Sequence, residues 1–184
     1  MDSKGALIVI SGPAGAGKGT VVKELMKDEN MRLSISATTR APRGQEQNGV
    51  EYYFLTKEEF EKMIAEDGFY EYAQYVGNYY GSPKKPVEQW RKEGKNVILE
   101  IEVQGCQKVK KIEPECVSIF IKPPSLEILE KRLRGRGTET EEAILKRMAR
   151  AKEELPLAAD YDYVVINDSL EDCVAQVRSI IAGL

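Results

Sequence analysis

The segment Gly12-Pro13-Ala14-Gly15-Ala16-Gly17-Lys18-Gly19-Thr20 interleaves glycines with one lysine, directly after the apolar run Leu7 to Ile10 and before a helical pattern. Glycines so spaced let successive backbone N–H groups close around phosphate oxygens without Cβ clashes. The helix that follows adds the positive end of its dipole. Lys18 can then reach the β- and γ-phosphates of a nucleotide and neutralise charge moving between them. One position departs from the usual arrangement. A Ser or Thr commonly follows the lysine and offers its hydroxyl to Mg²⁺, whereas here Gly19 follows and Thr20 comes next. Mg²⁺ is therefore expected to be held mainly by phosphate oxygens and water, with Thr20 nearby.

Further along, Arg40 and Arg43 flank Pro42 and precede Gly44. That combination argues against a continuous helix and projects both guanidiniums from a bend. Two guanidiniums so placed can clamp a phosphate dianion through charge-assisted bonds; on spacing alone the pair is equally compatible with ordinary surface arginines. Glu100 and Glu102 stand two apart near the end of an apolar run, so they face the same side of a strand. A strand parallel to the first would bring both toward the mouth of the phosphate loop, because ligands gather at the carboxyl ends of such strands. Residues 131–152 carry eight basic side chains, Arg136 and Arg147 among them, against three acidic ones. Such an excess suits a small polyanion, although a solvated helix face would look the same. Histidine is absent. His-based general bases, triads and His-ligated zinc are thereby removed, and chemistry by positioning and positive charge remains.

The elements that must hold these groups alternate. Leu7 to Ile10, Val97 to Ile101, Val117 to Ile121 and Tyr163 to Ile166 are β-branched apolar runs without strict alternation, as expected of strands covered on both faces. Helical patterns over Lys18 to Lys27, Ser125 to Leu133, Thr138 to about Leu155 and Leu170 to Ile181 follow or separate them. Thr138-Glu139-Thr140-Glu141 reads as a capping box for the third of these. The predicted fold class is α/β, a mainly parallel sheet flanked by helices. Residues 34–85 break the rhythm: Leu33, Ile35 and Ala37 alternate with serines, and seven of the nine tyrosines fall between Tyr52 and Tyr80. This segment is predicted to be an inserted α+β lobe, with Thr56 and Glu59 capping its helix and Tyr70, Tyr72 and Tyr75 in its core. The main body would comprise residues 1–33 and 86–184 of a single domain.

Ser36 to Tyr52 reads Ser-x-Thr-Thr-Arg-x-Pro-Arg-x-x-Glu-x-x-Gly-x-x-Tyr. Together with Asn78-Tyr79-Tyr80-Gly81-Ser82, Glu100-Ile101-Glu102-Val103-Gln104-Gly105 and Arg136-Gly137-Thr138-Glu139, it resembles the signatures of guanylate kinases, in order and over essentially the whole chain. The Gly-Lys-Gly-Thr ending of the loop is also similar to that of adenylate kinases. The resemblance implies a P-loop NTPase-type fold with a mobile lid over residues 134–150, in which Gly135 and Gly137 suit a hinge. It implies ATP as phosphoryl donor with Mg²⁺, bound by residues 12–20, Arg136, Arg147 and Asn167. It implies GMP as acceptor. Arg40, Arg43, Tyr52 and Tyr80 would take its phosphate; Glu71 and Ser82, beside Ser36 and Gly81, would take the guanine. Glu100 would lie near the reacting phosphates and Glu102 nearer GMP, where many relatives carry aspartates. A carboxylate at Glu71 accepts from guanine N1–H and the 2-amino group together, and adenine offers neither. The catalytic set is then Lys18, Arg40, Arg43, Arg136 and Arg147, with Arg132, Arg134 and Arg150 left on the surface. Asn167, near the adenine in this reading, is equally placed to start a turn before Ser169.

The bulk properties set limits around this reading. The chain has 184 residues, 42% hydrophobic and 31% charged, with a net charge of −3. That suits one globular core and argues against a general nucleic-acid binder. No apolar run approaches the ~20 residues of a membrane span, and the start carries no signal-peptide pattern. The three cysteines lie outside any C-x-x-C spacing, so reduced thiols and a cytoplasmic location are expected. No obligate protein partner is expected. Two rivals remain: AMP as acceptor, and a peptide-binding scaffold module, against which the intact Lys18 and glycines count. A switch GTPase would need an Asn-Lys-x-Asp guanine motif.

Overall fold

The computed structural model describes residues 3–184; the reading of the extreme start, at Met1 and Asp2, lies outside them. From the N-terminus the elements are β1 (Leu7–Ser11), α1 (Lys18–Leu25), β2 (Met31–Leu33), β3 (Ala37–Thr38), β4 (Tyr53–Phe54), α2 (Lys57–Ala65), β5 (Phe69–Tyr75) and β6 (Asn78–Pro83). They continue with α3 (Lys84–Lys92), β7 (Asn96–Glu100), α4 (Val103–Ile112), β8 (Val117–Lys122), α5 (Leu126–Gly135), α6 (Glu141–Glu154), a 3-10 helix (Leu155–Asp160), β9 (Tyr163–Ile166) and α7 (Leu170–Ala182).

A five-stranded sheet in the order β2-β7-β1-β8-β9 forms the main body, and every pairing in it is parallel. β1 lies at its centre, buried at each position. Ile8, Ile10, Ile98, Ile119 and Ile121 pack on one face against Val21 and Leu25 of α1 and Val174 and Val177 of α7. Leu7, Val9, Val97 and Leu99 pack on the other against Val87, Cys106 and Val109. Two covered faces explain why these strands show no alternation. All three cysteines are buried and unpaired. No described helix is long and apolar enough to cross a membrane.

The alternation Leu33, Ile35, Ala37 belongs to two strands rather than one. β2 pairs with β7 at the edge of the main sheet, and Ala37 opens β3 of a second sheet, ordered β4-β3-β6-β5. This smaller sheet packs on α2, whose N-terminus carries the reciprocal Thr56–Glu59 capping box. Phe60 of α2 stacks on Phe69 and Tyr79, at 4.3 and 4.9 Å between ring centroids.

The tyrosines predicted to fill this lobe are distributed differently. Phe69 and Tyr70 are consecutive and both buried, because β5 carries a register shift between Phe69 and Glu71. Phe69 enters the lobe cluster, whereas Tyr70 crosses into the main core beside Leu7 and Val9, where its hydroxyl donates to Glu88. Tyr72 is partly exposed at the lobe's edge. Tyr75 is 71% exposed beside the hairpin turn Val76-Gly77, where φ is +47° and +77°. Two left-handed residues make the tight turn that matches strand twist. A β-branched residue is strained there.

The start of α6 also differs from the sequence pattern. Thr140, not Thr138, is its N-cap, accepting from Ala143 N at 3.2 Å, because the chain bends at Gly137 with φ +64°. Pro156 has no N–H to bond the carbonyl four residues back, so α6 ends at Glu154 and the chain continues as a 3-10 helix. Leu129 and Leu133 of α5 pack on Ile144, Met148 and Ala151. That packing fixes which face of α6 turns toward the loop after β1.

Candidate active site

The glycine-rich loop runs from the end of β1 to the start of α1. A Cβ at Gly12 would collide with the Ile121 carbonyl of β8, so only glycine lets the loop leave the sheet this closely. Gly17 caps α1 with φ +88°, and a Cβ there would collide with the Asn167 amide. Asn167 is buried and donates from Nδ2 to the Ala16 carbonyl at 2.8 Å. Its own carbonyl accepts from Arg132 Nη2 at 2.8 Å. The end of β9 thus ties the phosphate loop down from beneath. Lys18 folds back over the loop and donates to the Gly12 carbonyl at 2.5 Å. Burial lowers its ammonium below the ordinary lysine range, and Glu100, Glu154 and Glu102 oppose that shift.

A cleft of about 620 Å³ opens between the lobe and the main body, lined by Ser36, Tyr52, Glu71, Tyr80, Gly81 and Glu102, with Lys108 and Arg150 among its other walls. The register shift in β5 sets Glu71 opposite Ser82, whose hydroxyl donates to Glu71 Oε1 at 2.8 Å. Burial raises the Glu71 carboxyl; the Ser82 bond and Lys108 partly offset this. At the other end, the Arg40 guanidinium lies 5.1 Å from the Tyr52 ring centroid, and the Tyr52 and Tyr80 rings meet edge-on at 6.2 Å. Glu46 grips one edge of Arg40, accepting from Nη1 at 2.9 Å and Nη2 at 3.1 Å. It also accepts from Arg43 N at 2.8 Å. Bonds from Arg40 first, then from the Arg43 amide, hold the Glu46 carboxyl down at about 2. Arg40 lies against Tyr80 as well, and the Arg43 side chain is exposed on the same bend.

A second cleft of about 490 Å³ lies over the phosphate loop, lined by Gly12, Ala14, Lys18, Arg147 and Glu154 among others. Pro13, Gly15 and Ala16 are buried beneath it, and Gly19 and Thr20 are exposed in the first turn of α1. Arg147 pairs with Glu139 at 2.6 Å. Arg136 stands at the C-terminus of α5, exposed and outside the lining of this cleft. Glu100 ends β7 beside Gly19: a Cβ there would lie 3.9 Å from Glu100 Oε1. Among the described residues no three metal-ligating side chains converge.

The chain that forms these clefts matches a known family along almost its whole length. A family model described as guanylate kinase matches residues 4–184. The chain belongs to the guanylate kinase family. It is 55% identical over 183 residues to the guanylate kinase of Clostridium acetobutylicum, the match covering 100% of this chain and 88% of that protein. To that of Synechocystis sp. it is 52% identical over 179 residues, 97% of this chain and 94% of the relative. The crystal structure of guanylate kinase from Anaplasma phagocytophilum superposes with a TM-score of 0.74 at 34% identity, covering 98% of this chain and 86% of that one. Shikimate kinase from Bacteroides thetaiotaomicron shares the fold alone, with a TM-score of 0.53 at 16% identity over 96% and 98% of the two chains.

Three residues in this guanylate kinase fold have roles that the sequence pattern passed over. Glu46 stood in the signature string without a task, yet it orients Arg40. Arg132 was left on the surface but pins the Asn167 carbonyl. Arg150, also left on the surface, borders both clefts.

Proposed function

We infer that this chain transfers the γ-phosphoryl group of ATP to GMP, giving ADP and GDP. The observation that carries the inference is the buried Glu71 carboxylate, bonded to Ser82, facing a cleft whose other walls include Tyr52 and Tyr80, with Arg40 against the Tyr52 ring. A carboxylate there accepts from guanine N1–H and the 2-amino group, while Arg40, Arg43, Tyr52 and Tyr80 bind the phosphate. Across the shared wall, the loop amides of residues 12–20 and Lys18 hold the ATP phosphates. Arg147 lines the cleft over that loop, and Arg136 joins it when the segment between α5 and α6 closes. Asn167 shapes the loop beneath.

The transfer is in line. A GMP phosphate oxygen forms a bond to the γ-phosphorus as the bond to the β–γ bridging oxygen breaks, and that electron pair stays on ADP. GMP phosphate is largely ionised near neutral pH, so no strong general base is required. The barrier is repulsion between two anions, which positioned cations reduce. Mg²⁺ bound with ATP would supply further charge neutralisation, with Glu100 and Thr20 as the nearest oxygen donors this chain could offer it. Closure of the lobe and the arginine segment excludes water that would hydrolyse ATP. Deoxy-GMP is the natural second acceptor.

A coupled assay offering GMP, AMP, UMP and CMP at equal concentration tests this. GMP is expected to lead AMP by about 10²-fold or more in kcat/KM, because AMP leaves the buried Glu71 unpaired. A preference for AMP would remove the role given to Glu71.

The same carboxylate predicts a pH dependence. Burial raises Glu71, so it takes up a proton at higher pH than an exposed glutamate would. The protonated form presents a hydrogen where guanine N1–H needs an acceptor. KM for GMP should therefore rise on acidification, beginning above the ordinary glutamate range. Glu71→Gln has nothing to titrate there and should keep only the limb due to the GMP phosphate. Parallel profiles for the two proteins would refute the assignment.

A further inference from the structure

Tyr75, Glu102 and Arg150 border both clefts, whereas Lys18 and Arg147 border only the one above the phosphate loop and Lys108 only the other. Among the described residues, Arg150 is thus the one cation lining both. It lies three residues beyond Arg147 on α6, so the two guanidiniums leave the same helix face about one turn apart. That face, with Ala143, Ala151 and Glu154, looks onto Lys18 and the loop.

The Arg150 guanidinium is held at two points of different character. Nε donates to Glu154 Oε1 at 2.7 Å; Glu154 is one turn along the same helix and its side chain is 15% exposed. This contact travels with α6. Nη2 donates to Glu102, which caps α4 on the main body and is 68% exposed. Ion pairs that open to water are weak, and a phosphoryl group offers more charge and more acceptor oxygens than one carboxylate. The bond to Glu102 is therefore the exchangeable one, and Glu154 keeps the guanidinium aimed while the exchange occurs.

We propose that Arg150 is a further catalytic residue, releasing Glu102 to bind the phosphoryl group in transit between the two clefts. Being the cation common to both sides, it meets charge that neither substrate carries alone. Its contribution accordingly falls on the transfer step rather than on capture of either nucleotide. The proposal rests on the ATP-to-GMP reading above.

The test compares the unaltered chain with Arg150→Ala, Arg150→Gln and Arg150→Lys. Steady-state kinetics would be paired with calorimetric titration of GMP, of ATP, and of a bisubstrate compound joining adenosine to guanosine through five phosphates. Removing the guanidinium is expected to lower kcat about 10- to 100-fold while either KM moves less than about threefold. The bridged compound should bind about tenfold more weakly, each single nucleotide should bind almost as before, and Arg150→Lys should recover part of the loss. Wild-type kcat and undiminished affinity for the bridged compound in both Arg150→Ala and Arg150→Gln would overturn the proposal, as would an equal loss for every ligand accompanied by a fall in Tm. Failure of the unaltered chain to phosphorylate GMP would remove the underlying reading as well, and that outcome is visible without any variant.

Discussion

Replacing Lys18 with Met is expected to lower kcat by about 10³-fold, with the Tm almost unchanged. The ammonium sits at the first residue of α1 and already reaches across the loop to the Gly12 carbonyl, the position from which it would meet β- and γ-phosphate oxygens in the proposed reaction. Loss of one preorganised charge at a group that gains charge during transfer is worth roughly 10²–10³ in rate, and a lysine bridging two phosphates lies at the upper end. Stability should respond little, because burial already depresses the Lys18 ammonium and methionine fills the same space without that desolvation. Single-turnover rates with saturating ATP and GMP, alongside thermal melts, check both halves. Turnover within tenfold of the unaltered chain would contradict the role given to this lysine.

Arg40→Met should have the second largest effect, lowering kcat/KM for GMP by about 10²-fold or more while KM for ATP stays within about twofold. Two causes combine. The substitution removes the guanidinium that lies against Tyr52 and Tyr80. It also strips Glu46 of its partner, leaving a carboxylate facing the place where a phosphate dianion must bind. Glu46 is now held at about 2, chiefly by the Arg40 bonds, so it stays ionised throughout the neutral range. The double change Arg40→Met with Glu46→Gln should therefore recover part of the loss by removing the repulsion. A double variant no better than Arg40→Met would limit Glu46 to shaping the bend.

Much of the main sheet is legible in the sequence, for a physical reason. Strands covered on both faces must be apolar at consecutive positions, and Leu7 to Ile10 and Val117 to Ile121 say so directly. β2 could not be separated from the lobe in the same way. It is three residues long and only Met31 is buried, so Leu33 simply joined the alternation that follows. The phosphate loop was legible because its glycines answer a local backbone requirement. Arg150 was not, because a cation on an amphipathic helix looks like any solvated cation until α5 and α6 pack and decide which face meets Lys18. Tyr75 misled for the opposite reason: an aromatic in an alternating strand reads as core, and only the Val76-Gly77 turn carries it to the tip. Asn167 was placed near the nucleotide from resemblance. Its amide bond to Ala16 depends on β9 running alongside β8, which sequence spacing does not encode.

Tyr70 gives the lobe a fulcrum. One residue of β5 is sunk into the main body while its neighbour Phe69 belongs to the lobe, so the lobe closure proposed above would turn about that point. From Tyr70 to Tyr75 the strand extends about 17 Å at ~3.4 Å per residue, and an arc of about 10° then moves the Tyr75 tip by about 3 Å, close to one hydrogen-bond length. Small angular play at the root is enough to engage or disengage the wall that the two clefts share.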